Sequence, residues 1–235
     1  TSPFAPRQLL FAHAALADPK LGRLVHEERS ARTGLGLAEA SESTTDVHIH
    51  DWRLRLDVAS GRYLARLRGR EIDFDLSFSA TQPIVLQGDR GFSRKGPRPE
   101  QSSYYYSRPH LAVSGQIKHG STTRAVRGAA WLDHEWSSEI MAAEARGWDW
   151  IGILLADGGS IMAYQMRDES SGAIWAAATI VAPDGQQRAI AARDIVFEPQ
   201  RRWRSPRTRA EYPVALSVRL EALTLTLVPL IDDQE

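Results

Sequence analysis

The chain has no cysteine. That excludes disulfides, thiolate nucleophiles and cysteine-ligated metal sites. It also has few lysines, only Lys20, Lys95 and Lys118, so arginine carries nearly all of the positive charge. Charge of either sign is not in excess: Lys+Arg and Asp+Glu both number 29. A neutral chain does not carry the electrostatic footprint of a nucleic-acid partner or an anionic surface. No apolar run reaches the roughly 18 residues of a membrane helix, and no signal-peptide pattern is read, so no transmembrane segment is expected. Long amphipathic helical runs are scarce as well. At 235 residues the chain can bury a substantial core.

What is present is mostly period two. Trp52, Leu54, Leu56 and Val58 alternate with polar residues, as do Ile72, Phe74, Leu76 and Phe78. Val214, Leu216, Val218 and Leu220, then Leu223, Leu225 and Leu227, repeat the pattern. Each run predicts a strand with one buried face. Turn signals separate them: Ser60-Gly61, Gly88-Asp89, Asp157-Gly158-Gly159, Ser171-Gly172 and Asp184-Gly185. The expected fold is all-β, an antiparallel barrel or sandwich. Two short helices are expected, Leu21–Ala31 and one from Ser137 to Ala145 capped by Ser137 or Ser138. The arginine-rich run 201–209 reads as an exposed linker rather than a nucleic-acid site, which places a boundary near 198–212.

The chemistry concentrates between Trp131 and Trp150, which hold four of the seven tryptophans. Asp133, His134, Glu135 and Trp136 are consecutive, and Trp148, Asp149 and Trp150 follow. Indoles set beside carboxylates and an imidazole can desolvate them and shift their titration toward a useful range. Such a segment in a β chain also makes ordinary core. In Tyr104-Tyr105-Tyr106, a strand puts Tyr104 and Tyr106 on one face and Tyr105 on the other. His48 and His50 share metal-ligand spacing, but no third ligand is evident, and no metal is expected. Without a Gly-x-Ser-x-Gly elbow, Ser103, Ser107 and Ser137 do not make a hydrolase with Asp133 and His134.

The blocks GFSRKGP (91–97), SSYYYSRPHLAVSG (102–115), VRGAAWLDHEWSS (126–138) and GWDWIGILLADGGSIMAYQMR (147–167) resemble the bacterial carotenoid 1,2-hydratase-like family, also labelled AttH-like or predicted secreted hydrolase. The resemblance implies two lipocalin-like β-barrel domains in tandem. On that pattern residues 1–198 are the first barrel, with the family's N-terminal Glu-Trp-Trp-Tyr strand lacking. Residues 199–212 are the linker, and 213–235 are the first strands of a second lipocalin-like domain. It implies a periplasmic or secreted protein that takes a hydrophobic small molecule, a polyene or isoprenoid. The implied activity is that of a lyase: water is added to a double bond through acid protonation and a carbocation, with no cofactor. His134 and Trp136 match the family's His-x-Trp pair. The resemblance implies Asp133 or Asp149 as proton donor, with His134 orienting the acid or the water. It implies Trp136, Trp148 and Tyr164 as walls for the cation, joined in ligand binding by Trp131, Glu135, Trp150, Tyr104 and Tyr106. Glu135 stands where hydratases proper carry Asn. The alternative is a non-catalytic lipocalin-like carrier. Oligomeric state is not indicated by the sequence.

Overall fold

The computed structural model describes residues 8–139, 141–170 and 172–234. The fold is all-β and antiparallel, of the lipocalin-like or sandwich kind. No sheet closes into a barrel among the described residues. A single 3₁₀ turn, Ala192–Asp194, is the only helical element among them, and no helix is long and apolar enough to cross a membrane. The chain divides into two units.

Unit 1 comprises residues 1–81, 111–130 and 230–235. It opens with a hairpin, β1 (Leu9–Ala17) and β2 (Leu24–Arg32). A meander follows: β3 (Ala38–Ala40), β4 (Asp46–Ile49), β5 (Trp52–Asp57), β6 (Arg62–Arg68) and β7 (Ile72–Ala80). The core gathers Ala14, Val25, Trp52 and Ile72. The alternating runs 52–56 and 72–78 are therefore strands, as expected, whereas Val58 lies in the turn after β5 and is exposed. The expected helix at Leu21–Ala31 is not one. Asp18 and Pro19 turn the chain, with Asp18 Oδ1 accepting the Lys20 amide at 2.9 Å and Gly22 at φ 65°. Residues 24–32 then pair along the whole of β1, and the ladder overrides the local helical preference of the Glu/Arg-rich stretch. His50 sits in the turn after β4 with φ 54°, so it does not share a strand face with His48. Among the described residues no group of three His, Asp or Glu could hold a metal ion.

Unit 2 comprises 82–110 and 131–229. Short strands β8 (Val85–Leu86) and β9 (Phe92–Arg94) pair with the first half of the long strand β10 (Ser102–His119), whose second half belongs to unit 1. β11 (Thr122–Trp136) lies beside β10 and ends in unit 2. A four-stranded sheet follows: β12 (Gly147–Leu154), β13 (Ser160–Arg167), β14 (Ala173–Val181) and β15 (Gln187–Ile190). Last comes a three-stranded sheet of β16 (Ile195–Arg204), β17 (Glu211–Leu220) and β18 (Leu223–Leu227).

β13 is buried on both faces, so it is the middle of this unit. One face, with Ile161 and Ala163, packs with Ile151 on β12 against Phe197, Val218 and Leu220. The other face, with Met162, Tyr164 and Met166, packs against Tyr105 and Trp131. The run 199–212, expected as a linker, is the paired end of the β16–β17 hairpin. Ser205 Oγ accepts the amides of Arg207 and Thr208 at 3.1 Å to close its tip. The described residues of 137–145 form bends and a turn rather than the expected helix. Ala142 and Ala145 are drawn into the core beside Tyr164, which a solvent-facing helix would not achieve. Ile140 of that expected helix, and Ser171 of the expected Ser171-Gly172 turn, lie outside the described residues.

Candidate functional site

Strand parity decides how the candidate residues are distributed. Along β11, Trp131, Asp133 and Glu135 point to one side, and His134 and Trp136 to the other. Along β10, Tyr105 and Ser107 share the first side, and Tyr104 and Tyr106 the second. The hydrogen bonds and ring contacts confirm the pairing of these sides. One side faces β12 and β13 and is called the inner face; the other is the outer face.

On the inner face, Asp133 Oδ1 accepts the Ser107 hydroxyl at 2.6 Å and the Trp131 indole N–H at 2.7 Å. Trp131 meets Trp150 edge-on, with centroids 6.2 Å apart, and Trp150 Nε1 donates to the Tyr105 hydroxyl at 3.2 Å. Gly152 makes room for the indole pair: a Cβ there would stand 2.6 Å from the Trp150 ring and 3.2 Å from Trp131. Burial pushes the Tyr105 pKa well above that of a free phenol, and the nearby Asp133 charge pushes the same way. Tyr105 therefore remains a protonated donor. Burial likewise raises Tyr164, whose hydroxyl donates to the Arg94 carbonyl and lies 3.3 Å from Ser93 Oγ. Trp148 points to the same side of β12 as Trp150 and is 59% exposed.

Lys95, which sequence reasoning passed over, lies at the centre of this face. Its Nζ is 2.7 Å from Glu135 Oε1, 4.8 Å from the Tyr105 ring centre and 4.7 Å from that of Tyr164. The available signal was composition: a lysine is rare in this chain, and this one sits in GFSRKGP.

Asp149 is elsewhere. It shares its side of β12 with Ile151, and its Oδ2 accepts Gln165 Nε2 at 2.7 Å and Arg167 Nε at 2.8 Å. That ion pair accounts for a carboxylate at the rim of the apolar layer. On the outer face His134 Nδ1 is 2.9 Å from the Tyr106 hydroxyl. Its ring meets Trp136 edge-on at 5.3 Å, and Trp136 stacks on Tyr104 at 5.6 Å. Phe92, Tyr104 and Trp136 line a groove of about 290 Å³ with Glu100, Ser102, Ser103, Ser137 and Ser138. The structure thus brings Asp133, Glu135, Trp131, Trp150 and Tyr164 together. It groups His134 with Trp136, Tyr104 and Tyr106, and it places Asp149 with neither set.

Chemically, the inner face is a carboxyl group held beside indole and phenol rings. That arrangement suits proton delivery to an unsaturated ligand whose cation the ring faces can stabilise. The outer face is an aromatic platform with a titratable imidazole at its side.

The AttH-like family model matches residues 1–235. Among solved structures, a protein of Nitrosomonas europaea described as an AttH is 45% identical, with a TM-score of 0.94 over 100% of this chain and 73% of that one. Kievitone hydratase from Nectria haematococca is 16% identical, with a TM-score of 0.76 over 96% of this chain and 68% of that one, and shares the fold. No curated protein matches the chain.

Proposed function

The chain belongs to the AttH-like family, and we propose that it is a cofactor-independent, hydratase-like protein acting on a polyene or isoprenoid at the inner face of unit 2. The observation that carries this reading is Asp133, fixed by Ser107 and Trp131 through a single oxygen and flanked by Trp131 and Tyr105. Both donors engage Oδ1, and the Tyr105 hydroxyl is also hydrogen-bonded to this carboxyl. The carboxyl protonates the less substituted alkene carbon and becomes a carboxylate. The tertiary cation lies against the faces of Trp131 and Trp150, with Trp148 at the margin. Water adds to the cation and returns a proton to Asp133, so the acid is regenerated. Of the two carboxyls implied as donor, Asp133 suits this role better, because Asp149 is committed to Arg167 and Gln165. His134 faces away from Asp133 and pairs with Tyr106, so in this reading it takes no part in the proton transfer.

The test is turnover of an acyclic carotene in H₂¹⁸O, with product followed by chromatography and mass spectrometry. Asp133→Asn is expected to lower the rate by about 10²–10⁴ while binding stays within a few-fold. Asp149→Asn and His134→Ala are expected to retain turnover. Loss in either of those with Asp133→Asn active would move the acid elsewhere. A second reading, a carrier of a hydrophobic small molecule, is favoured by the outer groove, where stacked Tyr104 and Trp136 offer apolar surface without a committed acid. Tight polyene binding with no product after long incubation would select it. A periplasmic or secreted location fits either reading.

A further inference from the structure

We infer that the ligand of the inner face is an oxygenated isoprenoid, bearing a hydroxyl or carbonyl group that binds Lys95, rather than a pure hydrocarbon. The inference rests on the reading that this face is the ligand site, and it narrows the substrate class. Lys95 is the reason. Its side chain is 18% exposed, its ammonium is paired to Glu135, and two tyrosine rings lie within 5 Å of it. An ammonium has three N–H donors. Glu135 Oε1 takes one, and the ring faces of Tyr105 and Tyr164 attract the charge without accepting a full hydrogen bond.

The lysine is held in place. Its backbone amide donates to the Gln101 carbonyl at 2.7 Å, and the Gln101 side chain accepts the Arg98 amide at 3.1 Å. Gln101 is itself buried, and a Cβ on Gly96 would stand 2.3 Å from its Oε1, so the loop is fitted around it.

A hydrocarbon laid over the ammonium would remove its remaining water and return no hydrogen bond, which is costly for a charged amine. A ligand oxygen would replace that water. Sites built with hydrogen-bonding groups discriminate strongly against analogues that lack the matching oxygen. A neutral oxygen fits better than a ligand carboxylate, because the Glu135 carboxylate already pairs with the one ammonium.

The test uses farnesol and farnesene, which share a C15 skeleton and differ at the oxygen. Binding is followed by quenching of tryptophan fluorescence. Farnesol is expected to bind at least about tenfold more tightly, a difference of about 1.4 kcal/mol, which a single hydrogen bond to a charged group can supply. The double variant K95M/E135Q, which leaves no unpaired charge, should abolish the preference, because farnesol loses its partner and farnesene no longer has an ammonium to desolvate. Lys95→Arg should keep the preference. Circular dichroism and urea midpoints establish that each variant is folded. Equal binding of the two probes to the wild-type protein would overturn the inference while leaving the aromatic face intact as a hydrocarbon site. A preference that survives in K95M/E135Q would overturn the assignment to Lys95. Failure of both probes to bind at millimolar concentration would overturn this inference and the ligand site together. A farnesol preference lost in K95M/E135Q, in a protein whose hydration activity is indifferent to Asp133→Asn, would support the inference and sink the catalytic reading alone.

Discussion

Removing the Trp136 indole should cost less stability than removing the smaller Phe197 ring, and this ordering tests the placement of the outer face. Trp136 is 52% exposed and Phe197 8%. A tryptophan side chain buries about 150–250 Å² when enclosed, so Trp136 hides roughly half of that. At about 25 cal/mol per Å² this is about 2–3 kcal/mol, an upper bound because the unfolded chain already shields some apolar surface. The stack on Tyr104 adds on the order of 0.5–1.5 kcal/mol, but truncation at an open surface leaves no sealed cavity. Trp136→Ala should therefore cost about 2–4 kcal/mol. Phe197 lies in the apolar layer with Ile161, Val218 and Leu220, where Phe→Ala costs about 3–5 kcal/mol. Both residues belong to unit 2, so both report on the same unit. Urea unfolding at unchanged m-value gives the two costs, and fluorescence titration with a polyene gives the change in binding. The reasoning fails if Trp136→Ala costs as much as Phe197→Ala and polyene binding is undisturbed, because the ring would then be core.

The other predictions concern backbone fit, ring placement and alkaline stability. Gly115→Ala places a Cβ 2.0 Å from the Asp75 carbonyl at φ 152°, both within unit 1; a loss of more than about 2 kcal/mol is expected in thermal or urea unfolding, and a neutral result would refute the close approach. Gly152→Ala should displace the Trp131–Trp150 pair, which near-ultraviolet circular dichroism reads directly, while far-ultraviolet spectra stay the same. Tyr105 and Tyr164 have raised folded-state pKa values, whereas an unfolded tyrosine ionises near 10. The unfolded chain thus releases these protons first, so the stability they confer is intact below pH 10 and falls as pH rises above it. Urea midpoints between pH 8 and 11.5 should show that fall, and Tyr105→Phe should flatten it; an unchanged slope would count against burial of the phenol.

Much of the fold is visible in the alternation itself. The runs beginning at Trp52, Ile72, Val214 and Leu223 became β5, β7, β17 and β18, because a half-buried strand writes its burial into every second residue. β2 was hidden for a physical reason. Its sequence, LVHEERSAR, has spacing that suits a helix, and only pairing with β1 across the Asp18–Gly22 turn makes it a strand. The segment 137–145 misled in the same direction, since three alanines and two glutamates favour a helix locally while the core beside Tyr164 claims Ala142 and Ala145. The arginine-rich stretch read as a linker because its pairing partner, 211–215, lies beyond the turn, and composition does not reveal a ladder.

The candidate site shows the same limit more sharply. Asp133, His134, Glu135 and Trp136 are neighbours in sequence, and their chemistry suggests one cluster. A strand sends neighbours to opposite sides, so β11 divides them into two pairs with different companions. Asp133 and Glu135 join Ser107, Trp131, Tyr105 and Lys95, whereas His134 and Trp136 join Tyr106 and Tyr104. The parity was available in the sequence once 122–136 was recognised as a strand, and it follows that Asp133 and His134 do not act on the same atom from adjacent positions. The position of Lys95 was not available, since it depends on the loop that Gln101 closes and on two tyrosines from β10 and β13 that are 59 residues apart in sequence. Lys95 is therefore the residue whose place required the fold, whereas the carboxylates and indoles of 131–150 stand out in the sequence only as residue types.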